Sequence, residues 1–240
     1  MDALFERTAM LVGQEGIDRL QRAHVAVFGI GGVGGHCTDA LARAGVGTLT
    51  IVDHDTVSAS NLNRQIIAFR STIGRRKTEV MQERLLDINP ALTVHALPVF
   101  VDRDTMERFD FSVFDYVVDA VDTVTAKLLL IERCRDAGTP VLSCMGTGNK
   151  LMTEPFRIAD ISETSVCPLA RVMRLECRKR GITRLKVLYS PEPPIRPQPG
   201  SGGCAPGRRQ TPGSIAFAPA CAGLTIAGQV IRELLSGCGQ

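Results

Sequence analysis

Gly29-Ile30-Gly31-Gly32-Val33-Gly34 decides how this chain is read. The stretch follows the apolar run His24 to Phe28 and opens a helical pattern, Val33 to Ala44. The next apolar run, Thr48 to Val52, closes on Asp53. A strand, a glycine turn, a helix and a second strand ending in an acid bring a phosphate onto bare backbone N–H groups. The acid then lies where a ribose hydroxyl sits. The spacing predicts an adenine-nucleotide site. The turn alone leaves open which nucleotide.

Working outward, the rest of the first 150 residues alternates short apolar strands with helices. Residues 1–22 read as an amphipathic lead-in helix, with Leu11, Ile17 and Leu20 apolar and Arg7, Arg19 and Arg22 charged. Lys77 to Leu86 has helical spacing, and Leu92 to Leu97 reads as a strand. Asp102 to Phe109 is a short helix, Tyr116 to Ala120 a strand, Thr123 to Cys134 a helix and Val141 to Met145 a strand. Fully apolar strands in a βαβα order predict an α/β fold, a Rossmann-like three-layer domain with a mostly parallel sheet. The final third is elaborated: strands at Phe156 to Ile158, Leu185 to Tyr189 and Ser214 to Phe217, and helices at Pro168 to Arg180 and Ala220 to Leu235. Residues 190–213 hold seven of the thirteen prolines and read as a long loop. No repeat or second core is visible. One domain is expected, with a nucleotide-binding portion over 1–150 and a substrate-binding and crossover portion over 151–240.

Composition narrows the function classes. The 240 residues are 44% hydrophobic and 22% charged, with net charge +3, which permits a polyanionic partner without requiring one. Tryptophan is absent and tyrosine occurs twice, which argues against an aromatic stacking surface for single strands. Asp2 and Glu6 precede any apolar run and no long apolar stretch is free of charge, so neither a signal peptide nor a membrane span is expected. The eight cysteines form no CxxC pair, which points to a reducing cytoplasm rather than a disulfide scaffold or structural zinc.

The loop after Asp53 separates two readings of the glycine turn. Asn61, Asn63, Arg64 and Gln65 crowd five positions, and Lys77 starts the next helix. Such charge suits a triphosphate, which a dinucleotide redox site does not carry. Asp119 and Asp122 follow the strand at Tyr116, beyond the carboxyl ends of the sheet, where two acids suit Mg²⁺. Asp122 also fits as a cap for the helix that follows.

These stretches, with Asp53-His54-Asp55, Gly74 and Asp119-Ala120-Val121-Asp122, resemble the adenylation domain of the ubiquitin-activating-enzyme-like superfamily across residues 7–150. Ser143 to Lys150, Ala159 to Ser162, Ser165 to Arg171 and Pro212 to Ile215 extend the resemblance to its tRNA threonylcarbamoyladenosine dehydratase branch over nearly the whole chain. The resemblance implies roles. Gly29, Gly31, Gly32 and Gly34 form the nucleotide turn, and Asp53 binds the ribose of ATP. Asn61, Arg64 and Lys77 bind the triphosphate and promote attack on its α-phosphorus. Asp55 and Gln65 belong to the same nucleotide set, and Asp122 holds Mg²⁺. An arginine from the second subunit reaches the phosphates, for which Arg7 is the match, so a homodimer is implied. The implied substrate is tRNA carrying threonylcarbamoyladenosine at position 37, activated as an acyl-adenylate and closed to a ring.

A carboxylate is already ionised at neutral pH, so such chemistry needs alignment and charge neutralisation rather than a base. None of the four histidines pairs with a serine or cysteine. Some relatives use a crossover cysteine; Cys167, just before Pro168, is the candidate, against the alternative of a packed thiol. Arg171, Arg174, Arg178, Lys179, Arg180, Arg184 and Lys186, with Arg208 and Arg209, form a basic run that suits a tRNA backbone or is an ordinary solvated face. The competing function is activation of a ubiquitin-like sulfur-carrier protein, which would bring a sulfur-transfer partner.

Overall fold

The computed structural model describes residues 3–198 and 212–237. Seven strands form one sheet: β1 (His24–Phe28), β2 (Thr48–Val52), β3 (Thr93–Leu97), β4 (Tyr116–Asp119), β5 (Val141–Cys144), β6 (Arg157–Asp160) and β7 (Lys186–Tyr189). Their order is β3-β2-β1-β4-β5-β7-β6. Every pairing is parallel except β6 with β7, which is antiparallel. The helices are α1 (Glu6–Arg22), α2 (Gly34–Ala44), α3 (Lys77–Ile88), α4 (Arg103–Met106), α5 (Val124–Ala137), α6 (Pro168–Lys179) and α7 (Phe217–Ser236).

The alternation of strand side chains sorts the helices into two outer layers. Val25 and Val27 of β1 pack with Cys37 and Leu41 of α2 and with Ile226 and Val230 of α7. Their neighbours Ala26 and Phe28 face the other way, against Leu130 and Cys134 of α5 and the Phe111 and Phe114 turn. Beyond α5, Ala170, Met173 and Cys177 of α6 cover Val187 and Tyr189 of β7. Both faces of the sheet are thus covered, as its apolar strands require.

The expected strand at Ser214 to Phe217 does not form. Ser214 and Ile215 lie outside any strand, and Phe217 opens α7. The Ser214 carbonyl is taken by the side chain of Asn63 at 2.9 Å instead of by a ladder. The helix expected over Asp102 to Phe109 is one turn only: Asp102 caps it by accepting from Thr105 N, and it ends at Met106. Cys204, Arg208, Arg209 and Cys238 lie outside the described residues, as does most of the proline-rich stretch.

Candidate functional site

At the carboxyl ends of β1, β2 and β4 lies a cavity of 310 Å³. This is the switch point where the connection from β1 runs to β2 on one side and the chain returns as β4 on the other. The turn that floors the cavity is glycine for steric reasons at two places. Gly29 has φ +91°, and a Cβ there would sit 2.6 Å from the Ala120 carbonyl oxygen. At Gly34 a Cβ would fall 1.8 Å from the Gly29 carbonyl oxygen. Gly29, Gly31 and Gly32 line the cavity, whereas Gly34 does not. Gly34 therefore belongs to the turn, as the resemblance implies, and supports the cavity floor from behind rather than lining it.

Asp53 is buried, and it braces the turn. Its Oδ2 accepts from Ile30 N–H at 2.7 Å and its Oδ1 from Asp55 N–H at 2.8 Å. Each carboxylate oxygen keeps a further lone pair for a hydroxyl donor. Lys77, at the start of α3 and also buried, donates from Nζ to Asp55 Oδ2 at 2.7 Å, with Asp53 Oδ2 3.8 Å away. Burial pushes the Asp55 carboxyl up, but the Lys77 hydrogen bond and charge, helped by His54, outweigh this and hold it below the usual range. A buried ammonium shared between two acids is a preorganised cation whose partners already face it.

Asn61 ends the single 3-10 turn Ala59–Asn61, and Arg64 and Gln65 come from the turn that follows it. Asn61 Oδ1 accepts from Ser58 N–H at 3.0 Å, so this side chain sets the loop as well as lining the cavity. Arg64 lines the cavity, with its guanidinium donating to Ser60 O at 2.8 Å and Asn63 Oδ1 at 2.9 Å. Gln65 is buried beside the turn, and its Oε1 has no hydrogen-bond partner. A buried amide oxygen without a donor is a site waiting for one. Above Gly31, a Cβ would meet nothing nearer than Gln65 Nε2 at 3.8 Å, so the bare backbone there is open to a ligand. The cavity therefore fits a phosphate-bearing group.

The two acids after β4 divide. Asp122 is exposed and lines the cavity. Asp119 does not join it. It is fully buried below, taking Ser143 Oγ at 2.5 Å on Oδ2 and Lys127 Nζ at 3.2 Å on both oxygens. The expected pair of metal-binding acids is thus one acid above a buried salt bridge. The charge of Asp119 is balanced by Lys127, which also donates to Cys144 O at 2.7 Å.

Other expected residues lie apart from the cavity. Cys167 is 3% exposed and packed with Met145 and Ala170, so the loop position before Pro168 does not expose its thiol. Arg174 is spent on Thr164, donating to its carbonyl at 2.7 Å and its hydroxyl at 2.5 Å. Arg171, on the exposed side of α6, and Arg7, in the first turn of α1, do not line the cavity. Sequence reading missed Phe100, whose ring meets His54 edge-on at 4.7 Å on the cavity wall. It also missed Thr147, just past the end of β5, and Ser214 and Pro219, which close the cavity from the final third. Lys127 left one signal: a lysine flanked by Ala126 and Leu128 to Ile131 in an apolar helix face.

Fold, glycine turn and buried cation together define a nucleotide-binding α/β protein with its ligand site at the topological switch point. The ThiF family model matches residues 5–240, and the chain belongs to the ThiF family. A tRNA threonylcarbamoyladenosine dehydratase of Bacillus subtilis is 41% identical, covering 96% of this chain and 94% of the relative. Two crystal structures of the Escherichia coli dehydratase, in complex with ATP and with AMP, each superpose with a TM-score of 0.89 at 30% identity. Each covers 99% of this chain and 97% of the solved one.

Proposed function

We propose that this protein is an ATP-dependent tRNA threonylcarbamoyladenosine dehydratase. One observation carries the reading: the 41% identity to the Bacillus subtilis enzyme runs through the whole chain, so it includes both the nucleotide cavity and the crossover third that closes it. The reaction has two steps. A carboxylate oxygen of the threonyl group attacks the α-phosphorus of ATP, the bond to pyrophosphate breaks, and an acyl-adenylate forms. A heteroatom of the same modification then attacks the acyl carbon, AMP leaves, and the ring closes with net loss of water. Lys77 and Arg64 neutralise charge on the phosphates, Asn61 orients them, and Asp53 holds the ribose. The open backbone at Gly31 and the Gln65 amide complete the cradle. Because the attacking group in the second step belongs to the substrate, no thiol is required, which agrees with the burial of Cys167.

Asp122 is the residue that would hold Mg²⁺, which when bound supplies further neutralisation of the phosphates. A second copy of the chain is part of the proposal. Met10 and Leu11 of α1 are 81% and 88% exposed, an apolar surface close to Arg7 in sequence that suits a partner subunit. Among the described residues no helix is long and apolar enough to cross a membrane.

The test is direct. The protein is incubated with ATP, Mg²⁺ and tRNA carrying threonylcarbamoyladenosine, and the digested nucleosides are weighed. The modified nucleoside loses the mass of one water while AMP and pyrophosphate accumulate. An unchanged nucleoside, with an acyl-adenylate formed on a sulfur-carrier protein instead, overturns the proposal.

A further inference from the structure

Asn149 has a left-handed backbone, with φ +59°, in a residue that is not glycine. Among residues with a side chain, asparagine is one of the few enriched in this conformation. Three hydrogen bonds hold it here. Asn149 N–H donates to Gly213 O at 2.8 Å, Gly213 N–H donates to Asn149 Oδ1 at 2.7 Å, and Ile195 N–H donates to Asn149 O at 2.9 Å. One residue thus clasps two segments far apart in sequence. The segment beside it is fixed as well: Lys150 donates to Glu192 O, and the Glu192 carboxylate accepts from Leu151 N–H at 2.9 Å and Met152 N–H at 3.1 Å.

Asn149 does not line the nucleotide cavity, but the residue after Gly213 does. Ser214 O accepts from Asn63 Nδ2 at 2.9 Å, and Asn63 Oδ1 accepts from the Arg64 guanidinium at 2.9 Å. A continuous chain of contacts therefore runs from Asn149 through Gly213, Ser214 and Asn63 to Arg64. We infer that Asn149 is a positioning residue for nucleotide binding: by clasping Gly213 it holds Ser214 against Asn63 and so fixes the guanidinium of Arg64 at the cavity. The inference rests on the reading of the cavity as the ATP site. Residue type follows from the two demands made on it. Asparagine tolerates the left-handed region, and its side-chain oxygen reaches the Gly213 amide.

The test measures ATP binding by calorimetry, together with hydrogen exchange, on the full chain. N149A weakens ATP binding roughly 3- to 10-fold and deprotects the Gly213 and Ile195 amides. N149D keeps an acceptor and tolerates the same backbone, so it stays near wild type and controls for folding. N63A weakens ATP binding to a similar degree. Because both act through one chain of contacts, N149A/N63A binds no more weakly than the weaker-binding single variant. Effects that multiply in the double variant, or deprotected amides with unchanged ATP affinity, overturn the inference. Wild-type protein that fails to bind ATP overturns the underlying reading instead, so the two failures are distinguishable.

Discussion

The nucleotide cavity and the exposed side of α6 both looked like clusters of positive charge in sequence, and the fold treats them oppositely. In the cavity, Lys77 is buried between Asp53 and Asp55 and stays directed at the ligand space. On α6 and its exit four of the seven charges are spent locally. Lys179 and Arg180 pair with Glu176, Arg180 also reaches Glu132, Lys186 meets Glu233 and Arg174 is held by Thr164. Arg171, Arg178 and Arg184 remain exposed on this surface. Charge density along a chain therefore says little about a site. Burial with partial compensation does, because a fixed cation in a water-poor cleft acts at a larger effective strength than one in solvent.

The strongest break of this contrast is at Lys127. It is fully buried against Asp119, and removing it leaves an uncompensated carboxylate beneath the cavity floor. Lys127→Met is expected to destabilise the fold by about 3–5 kcal/mol, measured by denaturant unfolding. Loss of less than about 1 kcal/mol would place this pair with the surface pairs and dissolve the distinction. Next comes Lys77→Met, which removes the cation that faces the phosphates. The rate of ATP–pyrophosphate exchange in the presence of substrate tRNA should fall by about 10²- to 10³-fold. Lys77→Arg should not restore it, since a planar guanidinium does not fit between Asp53 and Asp55 as an ammonium does.

How much of this was legible follows the range over which each feature is determined. The turn at Gly29, the acid at Asp53 and the lysine at Lys77 could be read because each obeys a local rule: a positive φ, a strand end, a helix start. The mostly parallel sheet follows from the strand–helix alternation for the same reason, whereas its strand order does not. Ser214 was not assigned a role because it reaches the cavity only through the crossover, and nothing near it in sequence marks that approach. Asp119 was misread because its position after a strand is shared by ligand-facing and buried acids, and only Lys127, eight residues on, decides between them. Cys167 shows the same limit, since its neighbour Pro168 starts a helix and its own side chain turns into the apolar layer.

The α6 surface supplies a smaller effect. If its exposed arginines meet tRNA phosphates, Arg171→Ala with Arg178→Ala should weaken tRNA binding at every sequence and lower the salt slope of log K by about 1–2. The ATP affinity should stay unchanged, because neither residue reaches the cavity. An unchanged salt slope would assign this face to solvent.

The smallest expected effect is at Cys167, and it tests whether burial or chemistry explains that residue. The thiol lies 3.9 Å from where a Cβ on Gly146 would stand, within an apolar layer that includes Met145 and Met173. An attacking thiolate needs access to the acyl carbon and a setting that favours its charged form. A side chain enclosed to this degree does not provide that access. Cys167→Ala removes one packed sulfur and should cost about 1 kcal/mol of stability, seen as a small drop in Tm, with turnover on modified tRNA kept. Abolished turnover with folding and ATP binding intact would mean that the crossover opens during the reaction and that a covalent step passes through this thiol. Retained turnover leaves the acyl carbon to the substrate's own heteroatom, with proximity already built into the modified nucleoside.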